Sequence, residues 1–238
     1  MVMACQSGRD TGGADRDAST NATHAGGAPM PHASSSGTSA ASNTPQGAKR
    51  PIVLFIGTSL TAGYGLDDPS TQAYPAQIGR LADSSGLPIR VINAGVSGET
   101  SAGALSRVDW VLRQPSDIIV LETGANDGLR GLSVDAARAN IDQILTRLSA
   151  AKPGIPLVVV QMEAPPNLGS SYVTKFREMY GSVAKAHGAA LTPFFLKGVA
   201  GVAGMNQPDG VHPTAAGAAI AARTIWGTLE PIVRRYYP

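Results

Sequence analysis

Three side chains of this sequence have the types and spacing needed for acyl transfer. Ser59 stands in Gly57-Thr58-Ser59-Leu60-Thr61-Ala62-Gly63, directly after the apolar run Ile52-Val53-Leu54-Phe55-Ile56. Asp209 and His212 stand three residues apart in Asp209-Gly210-Val211-His212-Pro213. A serine hydroxyl is a weak nucleophile until a neighbouring base accepts its proton. An imidazole can be that base, and a carboxylate on its second ring nitrogen fixes the tautomer and stabilises the imidazolium that forms. His212-Pro213 taken alone reads equally well as a helix start with Asp209 as its cap. The choice of histidine is narrow, however. His24 and His32 lie in a polar N-terminal stretch, and His187 closes a helical pattern in Lys185-Ala186-His187-Gly188. There it is expected to cap helix carbonyls and meet the negative end of the dipole. His212 is left as the base for Ser59.

Acyl transfer also needs donors aimed at the oxyanion that develops on the substrate carbonyl. The Ser59 amide, at a helix start, is one. Gly98, in Asn93-Ala94-Gly95-Val96-Ser97-Gly98-Glu99-Thr100, can bring a second N–H close because it has no side chain. Asn126, in Gly124-Ala125-Asn126-Asp127, offers a neutral side-chain donor. Gly63, Gly65 and Gly95 read as turn residues, and Glu122 and Asp127 as organisers of loops.

These residues need elements to hold them. Short apolar, β-branched runs recur at Ile52–Ile56, Ile89–Ile92, Asp117–Leu121, Leu157–Val160 and, more weakly, Ala190–Phe195. Apolar on both faces, they suit strands of a covered parallel sheet. Helical patterns separate them. Ser133 to Ala151 is the clearest, with Val134, Ala137, Ile141, Ile144, Leu145 and Leu148 on one stripe, Ser133 as N-cap and Lys152-Pro153-Gly154 as the stop. Others run over Ala73 to Ser84, Ala102 to Arg113, Ser171 to Ala186 and Pro213 to Arg234. Alternating strands and helices with right-handed crossovers predict a three-layer α/β/α sandwich on a five-stranded parallel sheet. In such folds ligands bind beyond the carboxyl ends of the strands. Ser59, Gly98, Asn126 and the Asp209–His212 pair each follow a strand, so all fall at that one edge.

Composition narrows the functional classes. Residues 1–50 contain no Leu, Ile, Phe, Tyr or Trp and are rich in Ala, Gly, Ser and Thr. Such a stretch cannot bury enough apolar surface to offset the entropy of ordering it, so residues 1–50 read as a tether and 51–238 as the folding unit. Nineteen basic against seventeen acidic residues, without a basic run, leave no footprint for nucleic acid. No 18-residue apolar segment spans a membrane. The one cysteine, Cys5, excludes a disulfide within the chain and cysteine-type zinc sites. Val2-Met3-Ala4-Cys5 resembles the end of a bacterial lipoprotein signal, which would lipidate Cys5 and place the domain in the cell envelope. Asp209 and His212 have no third histidine or cysteine with which to hold a metal. Thr61 replaces the last glycine of Gly-x-Ser-x-Gly, and neither a Walker A sequence nor a Gly-x-Gly-x-x-Gly after a strand is present.

Taken together, the four blocks around Ser59, Gly98, Asn126 and Asp209–His212 resemble those of the SGNH, or GDSL, hydrolases. Gly124-Ala125-Asn126-Asp127-Gly128-Leu129-Arg130-Gly131 and Ala164-Pro165-Pro166-Asn167-Leu168-Gly169 look most like the bacterial thioesterase I, lysophospholipase and arylesterase branch. The resemblance covers nearly all of residues 51–230 and implies a flavodoxin-like sheet. It also implies a Ser59–His212–Asp209 triad, an oxyanion hole from Ser59, Gly98 and Asn126, and no metal or other cofactor. The implied substrates are small-molecule carboxylic esters or thioesters with small to medium acyl chains. Loops 128–132, 164–172 and 196–205 would form the acyl groove, with Leu129, Pro166 and Leu168 against the substrate. A carbohydrate acetylesterase shares this triad, and a membrane-tethered binding module without catalysis is the reading of another class. One departure stands out. Thr58 occupies the place of the motif's name-giving Asp, which should leave catalysis intact but change hydrogen bonding around Ser59.

Overall fold

A computed structural model of the protein describes residues 50–238. Cys5 and the expected tether lie outside the described residues. The apolar runs become β1 (Ile52–Gly57), β2 (Arg90–Gly95), β3 (Ile118–Leu121), β4 (Leu157–Val159) and β5 (Ala190–Leu191). They form one parallel sheet in the order β2-β1-β3-β4-β5. β1 and β3 are buried along nearly their whole length, which explains their unbroken apolar runs. Gly57 stands opposite Gly95, and Ile56 opposite Leu121. The loops after β1, β2 and β3 therefore leave the sheet at one level, beside the point where the strand order reverses. Open parallel sheets bind ligands at that point.

Among the described residues, eight α-helices connect and cover the strands: α1 (Ser59–Ala62), α2 (Pro69–Gln72), α3 (Tyr74–Ser84), α4 (Ser101–Val111), α5 (Ala125–Leu129), α6 (Val134–Ala151), α7 (Ser170–Ala186) and α8 (Ala215–Arg234). α3 packs against α8, while α4, α6 and α7 pack in series as a second layer. α6 forms as its periodicity dictates. Ser133 accepts a hydrogen bond from the Ala136 amide, and the six apolar residues of the stripe are the ones it buries. Truncating one of them, Ile144, to alanine should cost about 2–5 kcal/mol.

Some boundaries differ from those the sequence suggests. β2 lies at the sheet edge, so it is not apolar on both faces, and Arg90 and Asn93 are exposed. It also runs on to Gly95, paired throughout with β1. β5 stops at Leu191, because Pro193 has no amide to give the ladder and Thr192 turns its hydroxyl onto the Pro193 carbonyl. α8 starts at Ala215, with Thr214 as its cap, while Pro213 bridges to Asn206 in the preceding loop. α2 is an extra turn, nucleated by Asp68, whose carboxylate accepts the Ser70 amide at 3.0 Å.

Candidate active site

The chain turns from β1 into α1 at Thr58, and Ser59 is the first helical residue, 8% exposed. Two features force so tight a turn. Gly57 has no room for a side chain, since a Cβ there would lie 1.9 Å from Thr61 Oγ1 and 2.7 Å from Glu122 Oε2. Gly95 is required for the same kind of reason rather than as a turn residue. It sits in β2 with the α1 backbone against it, and a Cβ would approach the Ala62 nitrogen to 2.3 Å. The Ser59 amide, in the first turn of α1, has no acceptor within the helix and points where an anion would be welcome.

Beneath Ser59 lies Glu122, fully buried at the end of β3. One of its carboxylate oxygens accepts the Thr58 amide at 2.8 Å, and the carboxylate also accepts the Thr58 hydroxyl at 2.9–3.0 Å and the Thr61 hydroxyl at 2.9 Å. Tyr74 reaches Thr61 from α3 at 2.8 Å. Burial pushes the Glu122 carboxyl above its ordinary range, and the hydrogen bonds from Thr58 and Thr61 oppose that push. Threonine at position 58 thus meets a buried carboxylate with a donor, where the aspartate of the resembled motif would bring a second acceptor. This is the physical content of the motif departure.

His212 arrives from the loop between β5 and α8. Its Nε2 lies 2.9 Å from Ser59 Oγ and its Nδ1 2.6 Å from Asp209 Oδ2. The second oxygen of Asp209 accepts the amides of Val211 and His212 at 2.9 and 3.0 Å. The imidazole bond first, and then those two amides, pull the Asp209 carboxyl down to about 2. An ionised Asp209 holds the proton of His212 on Nδ1, which leaves the Nε2 lone pair facing the serine hydroxyl. The Tyr64 ring leans on the imidazole, with centroids 4.8 Å apart at 46°.

The remaining expected residues also converge on this edge. Asn126, in the first turn of α5, donates one N–H to the Glu99 carbonyl at 2.9 Å and so keeps its amide fixed, with a second N–H in hand. Gly98 has φ +77, with Arg130 Nη2 3.9 Å from where a Cβ would be, and its carbonyl bonded to Arg130. Its loop is tied down by Arg107, which grips Glu99 at 2.5 and 2.7 Å and the Ala94 carbonyl at 2.9 Å. Asp127 accepts the amide and hydroxyl of Ser101, fixing the start of α4. It organises loops, as Glu122 does. His187 is structural but caps no carbonyl. Its ring instead bonds Asp142 on α6, 2.9 Å away, because the neighbouring helix offers a carboxylate.

A cavity of about 450 Å³ opens beside Ser59 and His212. Leu129 and Pro166 line it, but Leu168 does not. Leu168 closes the 3₁₀ turn Pro166–Leu168 and packs back against the core, so its side chain is already occupied. The cavity's other apolar walls include Leu60, Met162, Phe194, Leu196 and Val211. Met162 and Phe194 fall between the motif blocks, and their only sequence signal is position just beyond β4 and β5. Among the described residues, no group of three or more His, Cys, Asp or Glu side chains could hold a metal ion, and no helix is long and apolar enough to cross a membrane.

Comparison with known proteins gives this geometry a family. The profile of the GDSL-like lipase/acylhydrolase family matches residues 55–220. The esterase TesA of Pseudomonas aeruginosa is 36% identical over 189 residues, covering 79% of this chain and 92% of that protein. Thioesterase 1/protease 1/lysophospholipase L1 of Escherichia coli K12 is 35% identical over 182 residues, or 76% of this chain and 84% of that protein. The crystal structure of AlinE4, an SGNH-hydrolase family esterase, superposes with a TM-score of 0.64 at 40% identity, covering 80% of this chain and 98% of that one. A profile that spans all the motif blocks, and relatives alike over nearly their full length, leave one conclusion: the chain belongs to the GDSL-like lipase/acylhydrolase family.

Proposed function

We propose that the protein is a serine esterase that cleaves carboxylic esters through an acyl-enzyme. The observation that carries this reading is the Ser59–His212–Asp209 hydrogen-bond chain, 2.9 and 2.6 Å, at the edge of an apolar cavity. Ser59 Oγ attacks the ester carbonyl while His212 Nε2 takes its proton, and the oxyanion is met by N–H groups of Ser59, Gly98 and Asn126. The imidazolium protonates the leaving alcohol as the carbon–oxygen bond breaks. Water then attacks the acyl-enzyme and gives a proton to His212 Nε2. The bond to Ser59 Oγ breaks, Ser59 recovers its proton, and the carboxylic acid departs.

Related proteins named esterase, arylesterase and thioesterase 1/lysophospholipase L1 support the ester class, with thioesters and lysophospholipids as further substrates. The cavity volume, within the roughly 300–1,000 Å³ of small-molecule sites, suits an acyl chain of small to medium length. Its apolar walls favour hydrocarbon over a bare acetyl group on a sugar. A fluorophosphonate probe should label Ser59, and Ser59→Ala should abolish p-nitrophenyl butyrate hydrolysis. Unchanged turnover in that variant ends the reading. Export with lipidation of Cys5 belongs to the same proposal, on the strength of Val2-Met3-Ala4-Cys5 and the polar stretch after it. Labelled palmitate should enter the wild-type protein and not Cys5→Ala when each is made in a bacterium.

A further inference from the structure

The base and the nucleophile sit on loops 153 residues apart, and the His212 loop is exposed at Pro208, Asp209, Gly210 and Val211. Besides the Tyr64 ring that leans on the imidazole, one side chain ties the two loops together by hydrogen bonds. Gln207 donates through Nε2 to the Tyr64 carbonyl at 2.8 Å and to the Pro213 carbonyl at 2.9 Å. Tyr64 in turn donates its amide to the Ser59 carbonyl at 3.0 Å, and the Gln207 amide donates to the His212 carbonyl at 2.7 Å. Both ends of the brace are therefore one hydrogen bond from a reacting residue. Among the described residues, no other hydrogen bond joins these two loops except that between Ser59 and His212 themselves.

The room for this brace is made by Gly65. A Cβ at that position would lie 2.1 Å from Gln207 Oε1, and its φ of +72 disfavours any other residue. A side-chain amide is well matched to the task. Its two N–H groups meet two backbone carbonyls without adding charge beside the imidazole.

We infer that Gln207 is a positioning residue whose main contribution falls in deacylation. The inference rests on the acyl-enzyme reading above. In the free enzyme the Ser59 hydroxyl itself helps to hold His212, by the 2.9 Å bond. Once Ser59 Oγ is esterified, that proton is gone and the bond with it. His212 must still stand within hydrogen-bond reach of the incoming water, since a general base works only at that distance. Asp209 cannot anchor it across the gap, because Asp209 rides on the same loop. Gln207 can, through Tyr64 and the α1 turn.

The test compares wild type, Gln207→Met and Gln207→Glu on p-nitrophenyl butyrate, with active sites counted by fluorophosphonate titration. Methionine keeps the length and lacks the donors, while glutamate would face both carbonyls with an acceptor. Both variants should lose about tenfold or more in kcat, with KM falling in parallel and kcat/KM within about threefold of wild type. Stopped-flow traces should show a p-nitrophenol burst approaching one per titrated site. Thermal midpoints and titrated site counts separate misfolding from misplacement, since a folding defect alone leaves kcat per titrated site unchanged. An unchanged kcat per site, or a loss of kcat/KM equal to that of kcat without a burst, overturns the inference. A wild-type enzyme that neither turns over nor labels would instead remove the esterase reading beneath it.

Discussion

Thr58→Val tests whether the buried carboxylate beneath Ser59 is held by the residue that replaces the family aspartate. Valine has nearly the shape of threonine, so the change removes a donor and little else. Glu122 is fully buried and bonded to three donors, of which the Thr58 hydroxyl, at 2.9–3.0 Å, is one. A hydrogen bond to a buried charged group contributes about 1.5–3 kcal/mol. The Thr58 cap on the Leu60 amide is long, at 3.5 Å, and adds less than the ~1 kcal/mol of an ordinary cap. The loss should come to about 2–3 kcal/mol, and at about 2–4 °C per kcal/mol the thermal midpoint should fall by roughly 5–10 °C. The pH dependence fixes the cause. Because burial raises the folded carboxyl above its ordinary value of 4.5, the folded state binds its proton more tightly than the unfolded chain. Stability tied to Glu122 is therefore present below that value and lost as pH rises through the raised one. Removing a donor to the ionised form raises the folded value further, so the deficit of Thr58→Val must be larger at pH 8 than at pH 5. Circular-dichroism melts at the two pH values measure it. A midpoint within 2 °C of wild type at pH 8, or a deficit that shrinks with pH, refutes the argument.

Two other substitutions probe the reacting side of the cavity. Asn126→Ala should lower kcat by about 10²–10³ with little change in KM, the loss typical of one oxyanion donor, and steady-state kinetics on p-nitrophenyl butyrate reads it. Ala200→Trp fills the cavity from an exposed wall position and should lower kcat/KM for octanoyl esters at least tenfold while sparing acetyl and butyryl esters, as an acyl-chain series would show.

What the sequence made legible is what short-range pattern encodes. Ile52–Ile56 and Asp117–Leu121 read as strands because both faces of β1 and β3 are covered, and α6 because its stripe faces one core. Ser59, Gly98, Asn126 and His212 could be brought to one place without coordinates. Each follows a strand, and parallel strands deliver their loops to the same edge. The misreadings have a common physical source in tertiary neighbours. Leu168 carries a plausible lining side chain that the core takes up first. Gly95 looks like a turn glycine but is set by a helix passing over a strand. His187 finds Asp142 on a helix forty-five residues away.

The supporting groups around Ser59 were the least legible for the same reason. Thr58 and Glu122 are 64 residues apart, and Gln207 and Tyr64 are 143 apart. In one dimension each is an unremarkable polar residue beside a motif. Only Glu122 carries a local signal, an acidic residue placed directly after four buried apolar ones, where an unpaired charge would be intolerable. Such a residue requires donors from another segment, and the loop after the neighbouring strand β1 is the nearest source. The loop that carries Ser59 supplies them, so the turn that exposes the serine hydroxyl and the burial of Glu122 are one structural solution. Neither Thr58 nor Glu122 can be changed without the other registering it, and the replacement of the family aspartate by threonine keeps that pair to a single carboxylate.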